Sequence, residues 1–499
     1  MIKPKKVLIL SDSFKESISS KQISLIAERV FSPFIECLPY SIADGGEGTV
    51  DFYINELHYQ RLDIKSCNAF LEPIDTYFAY YNDTAVFDSA QIVGFSVNNK
   101  LDILSATTYG IGIVLKKIIK LGFKKIIIGL GGSITNDGGS GLLEALGAKF
   151  YNNEKLIELH KTPFKTVNKV DLSEIFELLK EIKINILCDV INPLFGPTGA
   201  TFTFSKQKGA TLANQLMMEE WMIKYAKMEG FKDLSSNLGT GAAGGLGFAL
   251  NEIGGTLNSG IDALLDAIHF DDLIDDKTLI ITGEGKFDET SLNGKVVGKI
   301  INRTNNKNVL IICGIDKINN PQYLTYPLHK EIATNYKETV ELDLEKAFKK
   351  ILKDFIIDYN LVEIKEVAKN NQSYRHLRYE VFVVEQKVDA EIEFDEFEDS
   401  TKHYLFKYNN LPIGTFRLRK VDGFIKLERF LIKKEYRNLD FGLIMLRKAL
   451  EIIKEKGYKL CLIHAQIRAQ AFYEKCGFIP FGERFMEAEI EHISMKIEL

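Results

Sequence analysis

Glycines and polar side chains alternate in the segment Ile127–Gly141, which reads IIGLGGSITNDGGSG. The segment begins in an apolar run, KKIIIG, that predicts a buried strand, and it leads into GLLEALGAKF, which predicts a helix. Glycines let the backbone approach a ligand and turn its N–H groups inward, and a helix N-terminus favours an anion. The pattern therefore predicts a phosphate or carboxylate site at the C-terminal end of a parallel strand. A glycine-rich connection without a ligand is the alternative for this segment taken alone.

Three further clusters of glycines, acids and lysines follow predicted strands or open predicted helices: Ser11–Lys15, Ala43–Thr49 and Thr282–Asp288. The segments Cys188–Pro193 and Phe204–Gly209 add an acid and two lysines. Mg²⁺ takes one or two carboxylates together with phosphate oxygens, and lysines neutralise a transferring phosphoryl group. The clusters together therefore predict a Mg²⁺-assisted phosphate site. Plain turns, solvated loop acids and surface lysines are the alternatives for each cluster by itself.

The composition is that of an ordinary globular protein, with 499 residues, of which 45% are hydrophobic and 26% charged. This length predicts two to four domains, and the net charge of −5 argues against nucleic acid as the main partner. The six cysteines form no CxxC pair, which favours structural thiols in a reducing compartment over disulfides or a zinc site. No apolar run approaches the roughly 18 residues of a membrane span, so we expect a cytoplasmic protein with no membrane partner.

Short apolar runs alternate with helical patterns over the first two-thirds of the chain. Six of these runs predict buried strands: Val7–Leu10, Thr84–Asp88, Lys125–Gly129, Ile184–Cys188, Leu279–Thr282 and Val309–Cys313. The segment Ser19–Gln22 predicts a capping box at the start of a helix. Strands that alternate with helices predict a parallel α/β architecture with right-handed crossovers.

A different domain is predicted after a boundary at residues 357–362. The run Leu342–Phe355 predicts an amphipathic helix that closes the first domain, residues 1–358. The second domain, residues 361–499, contains YLFKYNNLPIGTFRLRK, in which two strand-like runs flank an Asn-Asn turn. That arrangement predicts a hairpin of antiparallel sheet.

Two nucleotide-binding motifs are set aside. Gly239–Gly244 matches GxGxxG, but the preceding KDLSSNL does not predict the buried strand that a dinucleotide site requires. Gly294 and Lys295 are followed by Val296, so no GxxxxGK[ST] loop is present there. A kinase in this chain would therefore use another fold.

Seven motifs, in order, resemble the bacterial type I glycerate kinase (glycerate 2-kinase) family: SDSFKES, ADGGEGTVD, GLGGSITNDGGSGLLEALGAKF, CDVINPLFGPTGAT, KQKGA, GTGAAGGLGFAL and ITGEGKFDETSLNGK. The resemblance covers roughly residues 4–356 and implies ATP-dependent phosphorylation of D-glycerate to 2-phosphoglycerate. It also implies two α/β lobes with the site between them. The departures are Glu16, where the family more often has glycine, and FSKQKGA, which lacks the family's usual Gly-Pro.

Residue roles follow from this resemblance and from the reaction, in which positioning and charge neutralisation do most of the work. We expect Asp189 to accept the proton of the attacking hydroxyl, with Asp44 as the second candidate. The predicted substrate-binding residues are Asp12, Ser13, Lys15, Gly45, Gly46 and Glu47. Among them, Lys15 and the Gly45-Gly46 backbone are the candidates for binding the glycerate carboxylate, and Lys15 is also a catalytic candidate. The nucleotide-phosphate set is Gly131, Gly132, Ser133, Asn136 and Asp137, and the Mg²⁺ set, acting directly or through water, is Glu284 and Asp288.

The second domain resembles a GNAT-type N-acetyltransferase through YRHLRYEVFVVEQKV, KLERFLIKKEYRNLDFGLIMLRKAL and HAQIRAQAFYEKCGF. The resemblance implies a mixed α+β fold in which the strand LERFLIKKEY splays from its neighbour. The loop and helix N-terminus after that strand would receive the pyrophosphate of acetyl-CoA. The acetyl-CoA set is Leu431, Ile432, Arg437 and Gly442; in the family pattern Q/R-x-x-G-x-G/A, Asp440 replaces the first glycine.

Tyr473 occupies the position at which these enzymes often have the acid that protonates the departing thiolate, with a packed aromatic as the alternative. His464 and Glu428 are candidates for the pocket of an unidentified acceptor amine. Two alternatives stay open for the whole chain. The kinase could act on another small hydroxy acid, and the GNAT domain could be a non-catalytic acyl-CoA sensor, which Asp440 favours. The sequence leaves the formation of homo-oligomers open.

Overall fold

The computed structural model of the protein describes residues 3–14, 17–43, 45–159, 167–292, 294–329 and 336–499. The chain divides into two compact units, Met1–Ala347 and Phe348–Leu499. The segment from Phe348 to the predicted boundary at 357–362 groups with the second unit, and that boundary stays a prediction. Within the described ranges, no helix combines the length and the apolar character needed to cross a membrane.

Strands and helices alternate along the first unit, and all six predicted strands are present there. In chain order the strands are β1 (Lys6–Ser11), β2 (Glu36–Ser41), β3 (Gln60–Cys67), β4 (Pro73–Tyr81), β5 (Thr84–Asp88), β6 (Lys125–Gly129), β7 (Lys149–Asn152), β8 (Lys155–Ile157), β9 (Lys169–Asp171), β10 (Lys183–Leu187), β11 (Thr256–Asn258), β12 (Thr278–Phe287), β13 (Val309–Asp316) and β14 (Leu324–Pro327). The helices are α1 (Ser20–Phe31), α2 (Thr49–Asn55), α3 (Ala90–Val93), α4 (Tyr109–Lys120), α5 (Ser140–Leu146), α6 (Ser173–Leu178), α7 (Ala200–Phe204), α8 (Leu212–Ala226), α9 (Ala242–Glu252), α10 (Gly260–Ala267), α11 (Phe270–Leu273), α12 (Val296–Thr304) and α13 (Tyr336–Ile351).

Two main sheets carry these strands. The first has the order β14-β13-β12-β1-β2, and every neighbouring pair in it is parallel. The second has the order β11-β10-β6-β5-β4-β3, in which β11 to β5 are parallel and the β3–β4 hairpin is antiparallel. The sequence did not predict this hairpin because β3 contains no buried apolar run; most of its residues are exposed.

Local signals explain where several elements begin and end. The predicted capping box is confirmed, since the Ser19 side chain accepts from the Gln22 N–H at the start of α1. Gly147, with φ +119°, ends α5 after Leu146. Lys149 and the residue after it therefore begin β7, although the sequence predicted a continuing helix. The helix α13 begins at Tyr336 rather than at the predicted Leu342, and a π-helical turn, Leu352–Ile356, follows it.

One apolar core joins the two sheets of the first unit. Leu8 and Leu10 of β1 share a buried cluster with Val86 of β5 and Leu187 of β10. The helices α2 and α10 contribute to the same cluster. Because burial of apolar surface contributes about 25 cal/mol per Å², this shared core fixes the two sheets, and with them their strand ends, relative to each other.

The second unit is built on a mixed sheet with the order β15-β16-β17-β18-β19-β21-β20. Its strands are β15 (Val362–Val367), β16 (Lys402–Tyr408), β17 (Leu411–Val421), β18 (Phe424–Ile432), β19 (Leu460–Gln466), β20 (Ile479–Glu487) and β21 (Ile490–Glu498). Its helices are α14 (Gln372–Arg378), α15 (Ala390–Glu393), α16 (Phe441–Glu455) and α17 (Gln470–Glu474). The predicted hairpin is confirmed as β16–β17, whose turn residues Asn409 and Asn410 both have positive φ, as a tight hairpin turn requires.

Candidate functional site

A cavity of about 340 Å³ lies at the carboxyl ends of β1, β12 and β13. Ser11 of β1 is in register with Gly283 of β12, and the next residue, Asp12, donates its N–H to the Gly283 carbonyl at 3.0 Å. The cavity is lined by four residues of the predicted site: Asp12, Ser13, Glu284 and Asp288. It is also lined by Lys286, which belongs to the predicted cluster Thr282–Asp288, and by Lys295 and His329; the sequence analysis gave none of these three a role at the site.

The two predicted metal ligands differ in their surroundings. Glu284 is 6% exposed, and its Oε2 accepts from Lys295 Nζ at 3.1 Å. Its Oε1 is buried and has no hydrogen-bond partner in the described part of the chain. Both Asp288 oxygens are engaged, one by Thr290 and the other by Lys286 at 2.6 Å, and these contacts hold the Asp288 pKa well below its usual range. Glu284 is therefore the better placed of the two to take a cation.

Glycines bring loops from the two sheets into backbone contact. A Cβ added to Gly131 would lie 2.9 Å from Gly46 Cα and 3.1 Å from Glu47 N. A Cβ added to Gly132 would lie 3.2 Å from Glu47 Oε2. The predicted substrate loop, residues 45–47, thus lies directly against the predicted phosphate loop, and only residues without a side chain fit at this approach.

Asp189, the predicted base, lies beside the same substrate loop. Its Oδ1 accepts from Ser259 Oγ and from Gly260 N, each at 3.1 Å, at the N-terminus of α10. A Cβ on Gly45 would meet Gly260 Cα at 2.2 Å and Asp189 Oδ2 at 3.1 Å. We call the set formed by residues 45–47, 131–133 and Asp189 the glycine cradle.

The chain runs from the edge of the cavity to the glycine cradle within a few residues after β2. Ser41 of β2 is in register with Ser11 at the cavity edge. Gly45 follows four residues later, so its Cα lies at most about 14 Å from that of Ser41. Asp44 and Lys15, two of the predicted catalytic residues, lie outside the described residues.

The two polar residues at the end of the predicted phosphate loop point into the protein. Asp137 accepts from Thr108 N at 2.8 Å, Thr108 Oγ1 at 2.9 Å and Gly139 N at 3.1 Å. Burial raises the pKa of Asp137, although the hydrogen bonds from Thr108 and Gly139 oppose this. Asn136 donates to Thr201 Oγ1 at 3.2 Å. These contacts shape the loop and the start of α5, and a direct phosphate contact by either side chain stays a prediction.

Two further residues hold the glycine cradle and were missed as site residues. Lys208 is 2% exposed and donates to Thr135 O at 2.7 Å and to Ser133 Oγ at 3.2 Å. Burial lowers the pKa of Lys208 to about 7, against the raising influence of Asp137. The KQKGA motif marked this segment, but a sequence does not show which of its lysines is buried.

Asp88 is the second missed residue, and its carboxylate binds the backbone that follows the substrate loop. Its carboxylate accepts from Gly48 N at 3.0 Å and from Val50 N at 3.2 Å, at the start of α2. A Cβ on Gly129 would lie 2.6 Å from Asp88 Oδ1. Asp88 ends a predicted strand, so the rule that selected the other acids at strand ends could have found it.

In the second unit, two strands diverge around a cavity of about 160 Å³. The strands β18 and β19 pair only at Ile425–Cys461 and Lys426–Leu462, which confirms the predicted splay. A register shift in the β17–β18 pairing, with Arg429 at φ +51°, bends β18 beyond that point. Glu428, His464 and Tyr473 all line the cavity, as does Glu487, whose Oε2 is 2.9 Å from His464 Nδ1.

Tyr473 lines this cavity and is largely buried. It is 9% exposed and packs edge-on against Phe472 and Phe478, with ring centroids 5.0 and 5.7 Å away. Burial raises the pKa of Tyr473 well above its usual value. Burial opposes ionisation of Glu428 as well, but the hydrogen bond from Arg419 and the charge of Arg417 outweigh it and lower the Glu428 pKa.

The predicted acetyl-CoA residues surround the loop between β18 and α16. Leu431 and Ile432 pair with Thr415 and Gly414 of β17, and Gly442 lies in the first turn of α16. Arg437 donates to the Ile432 carbonyl at 2.8 Å and holds both Glu385 oxygens, at 2.5 and 2.7 Å.

Asp440 has φ +60°, a conformation that favours glycine, and its carboxylate is 2.8 Å from Lys353 Nζ. A glycine at this position, as in the family pattern, would adopt this backbone conformation without strain.

Comparisons with known proteins match this division. The glycerate kinase family model covers residues 7–349, and the acetyltransferase (GNAT) domain model covers residues 365–499. A glycerate kinase of Bacillus cereus is 38% identical over 302 residues, which are 58% of this chain and 79% of that protein. A glycerate 2-kinase of Escherichia coli K12 is 36% identical over 303 residues, which are 58% of this chain and 80% of that protein.

A solved structure agrees with the match of the first unit. A Salmonella typhimurium LT2 protein described as a glycerate kinase 2 superposes with a TM-score of 0.58 at 29% identity. The superposition covers 69% of this chain and 96% of that one. The chain therefore belongs to the glycerate kinase family and carries a GNAT acetyltransferase domain at residues 365–499.

Proposed function

We propose that the first unit transfers the γ-phosphoryl group of ATP to the 2-hydroxyl of D-glycerate and releases 2-phosphoglycerate. The observation that carries this proposal is the glycine cradle, in which the substrate loop, the phosphate loop and Asp189 lie in contact. The family match and the names of the relatives point to glycerate as the acceptor.

The cradle suits this reaction because phosphoryl transfer needs two reactants held in line and little covalent work by the protein. We expect the N–H groups of residues 45–47 to bind the glycerate carboxylate, together with Lys15, which lies outside the described residues. Asp189, whose Oδ1 accepts from Ser259 and Gly260 at the start of α10, accepts the proton of the attacking hydroxyl. Lys208 stabilises charge at the phosphate loop through its contacts with Ser133 and Thr135.

The surroundings of Glu284 fit a magnesium ion. Its buried Oε1 lacks a partner among the described residues, and Glu284 lines a cavity that also contains lysines. The described chain contains no group of three or more His, Cys, Asp or Glu side chains suited to a metal. Mg²⁺ commonly needs only one or two carboxylates when phosphate and water complete its shell. We therefore expect Glu284 to hold Mg²⁺, which would neutralise phosphate charge, and Asp288 to act through water.

The deciding experiment is ATP- and Mg²⁺-dependent phosphorylation of D-glycerate by the full chain, with the product identified by ³¹P NMR. A 2-phosphoglycerate signal is expected, and a 3-phosphoglycerate signal would overturn the regiochemistry. Absence of product from a folded, ATP-binding protein would favour another small hydroxy acid as the substrate, and a panel of such acids would identify it.

Asp189→Asn tests the role of the proposed base. We expect kcat to fall by roughly 10²–10⁴-fold, the usual contribution of a general base. Asp262→Asn is the matched control, because Asp262 lies on the same helix, α10, and pairs with Lys299 at 2.5 Å. Near-normal turnover by a folded Asp189→Asn variant would show that another group takes the proton.

We further propose that the second unit transfers an acetyl group from acetyl-CoA to a small amine. The splay of β18 from β19, with Tyr473 at the cavity between them, supports this activity. The amine would enter the cavity near Glu428 and Glu487, and Tyr473 would donate a proton toward the departing thiolate. Isothermal titration with CoA and an acetylation assay over a panel of amines test this proposal. Binding without turnover on any amine would favour the acyl-CoA sensor, for which Asp440 is the supporting observation.

A further inference from the structure

A segment that precedes the GNAT match closes on the loop in front of α16. The match begins at residue 365. Before it, Lys353 Nζ lies 2.8 Å from Asp440 Oδ2, and Tyr359 donates its hydroxyl to the Leu439 carbonyl at 3.0 Å. The Tyr359 ring also packs edge-on against Phe441, with centroids 5.5 Å apart. The loop is therefore held on one side by residues that precede the matched GNAT domain.

Two charged side chains of this loop, Arg437 and Asp440, are each paired with a residue of opposite charge. Both ends of the Arg437 guanidinium are engaged by Glu385, so this arginine brings little net charge to an incoming anion. Asp440 adds a negative charge at the N-cap of α16, and its side chain makes no capping hydrogen bond there. A carboxylate at this position repels a pyrophosphate unless a cation offsets it. Lys353 is the cation that lies against it.

We propose that Lys353 is a ligand of the acetyl-CoA pyrophosphate. The proposal rests on the acetyl-CoA binding proposed above for the second unit. The lysine ammonium has three donors on a flexible stem, so it can keep its contact with Asp440 and still donate to a phosphate oxygen. The loop with its Asp440 then depends on a residue of the second unit that precedes the GNAT match, and the domain excised at residue 365 would bind CoA poorly.

The test is isothermal titration of the full chain with CoA. Loss of one hydrogen bond to a charged group is worth about 1.5–3 kcal/mol, so Lys353→Ala should weaken CoA binding by roughly tenfold or more. Lys353→Arg keeps the charge and should bind within roughly threefold of the unsubstituted chain. Lys454→Ala is the control, because Lys454 lies in the last turn of α16, about 20 Å from its N-terminus, and its variant should bind normally.

Two further comparisons separate a pyrophosphate contact from other roles. In an Asp440→Gly background, Lys353→Ala should still weaken CoA binding; if the loss disappears there, Lys353 only neutralises Asp440 and the proposal is wrong. Dephospho-CoA keeps the pyrophosphate but lacks the 3′-phosphate, so the loss should be the same with it; if the loss vanishes, the contact is to the 3′-phosphate and the proposal is again wrong.

Unchanged CoA binding by a folded Lys353→Ala variant would also overturn the proposal. Failure of the unsubstituted chain to bind CoA is a separate result. It would overturn the proposed acetyl-CoA binding of the second unit itself.

Discussion

In the first unit the glycine cradle offers backbone groups to a ligand, whereas the cavity of the second unit is bordered by a network of charged side chains. The glycine cradle forms because residues such as Gly45, at φ +81°, bring main chain against main chain. Beside the cavity of the second unit, Arg378 and Arg417 are almost completely buried among carboxylates. A backbone cradle keeps its dipoles at any pH but tolerates no added side chain, and an ionic network tolerates no missing partner.

The ionic network of the second unit is continuous. Arg378 contacts Glu393 at 2.5 Å and Glu398 at 2.9 Å. Arg417 contacts Glu398 at 2.7 Å, and it also contacts Asp395 and Glu428. Since Glu428 lines the cavity, the network fixes one wall of the proposed acceptor pocket.

Removal of the Arg378 charge is expected to have the largest effect, on the stability of the second unit. In Arg378→Met, Glu393 and Glu398 lose a partner in the interior, and the free energy of unfolding of the second unit should fall by about 3–5 kcal/mol. Urea unfolding followed by hydrogen exchange, resolved to peptides of the second unit, measures this loss. Arg484→Met is the control, because its pair with Glu491 is exposed and should be worth less than about 1 kcal/mol. Equal stability of the two variants would contradict the proposed role of the network.

Lys208 combines the two kinds of site, because its buried ammonium group donates hydrogen bonds to the predicted phosphate loop of the first unit. Lys208→Met should lower kcat/KM for glycerate phosphorylation by roughly 10²–10³-fold, as for loss of a donor to developing charge. Lys206→Met, two residues away and exposed, should retain activity. If both variants have similar activity, the contacts of Lys208 with Ser133 and Thr135 serve the fold alone.

The pH dependence of the same reaction follows from the lowered Lys208 pKa. Burial lowers the pKa of Lys208 to about 7 in the folded chain, whereas the unfolded chain has the ordinary lysine pKa of 10.5. The unfolded state binds more protons between these values, so stability rises with pH in this window, while the charge that serves the phosphate is lost. The kcat/KM should therefore fall as the pH rises through about 7, and Lys208→Met should lack this decline.

Gly45→Ala breaks the cradle from the backbone side. A Cβ there would lie 2.2 Å from Gly260 Cα, so the substrate loop must move away from Asp189, and kcat/KM should fall by roughly 10²-fold. Gly196→Ala is the matched control: Gly196 also has positive φ, at +99°, but its added Cβ would meet nothing within 4 Å. Steady-state kinetics and melting temperatures of both variants separate the clash from backbone strain. Equal kcat/KM values for Gly45→Ala and Gly196→Ala would show that the substrate loop accommodates the added Cβ without loss of activity.

The sequence predicted the elements whose signal is local. Buried runs located the parallel strands, and their ends located Asp12 and Glu284 at the cavity and Asp189 at the glycine cradle. It could not show that Asp137 turns inward to Thr108, because that contact joins residues about thirty positions apart. It also could not pair Asp440 with Lys353, since that contact depends on a segment outside the recognisable domain. Side-chain direction and long-range pairing, unlike periodicity, are set by tertiary packing.

The smallest expected effect is that of Tyr473→Phe on the rate of acetyl transfer. Tyr473 is an uncharged residue in a cavity that is also lined by charged side chains. Its raised pKa keeps the phenol protonated, so in the proposed acetyl transfer it would donate a hydrogen bond to the departing thiolate. One neutral hydrogen bond is worth about 0.5–1.5 kcal/mol, and Tyr473→Phe should therefore slow acetyl transfer by at most roughly tenfold. The CoA dissociation constant should not change, because the phenol is expected to act in the transfer step and not in binding. Tyr458→Phe, outside the cavity, is the control, and an unchanged transfer rate in Tyr473→Phe would leave the ring a purely packing role against Phe472 and Phe478.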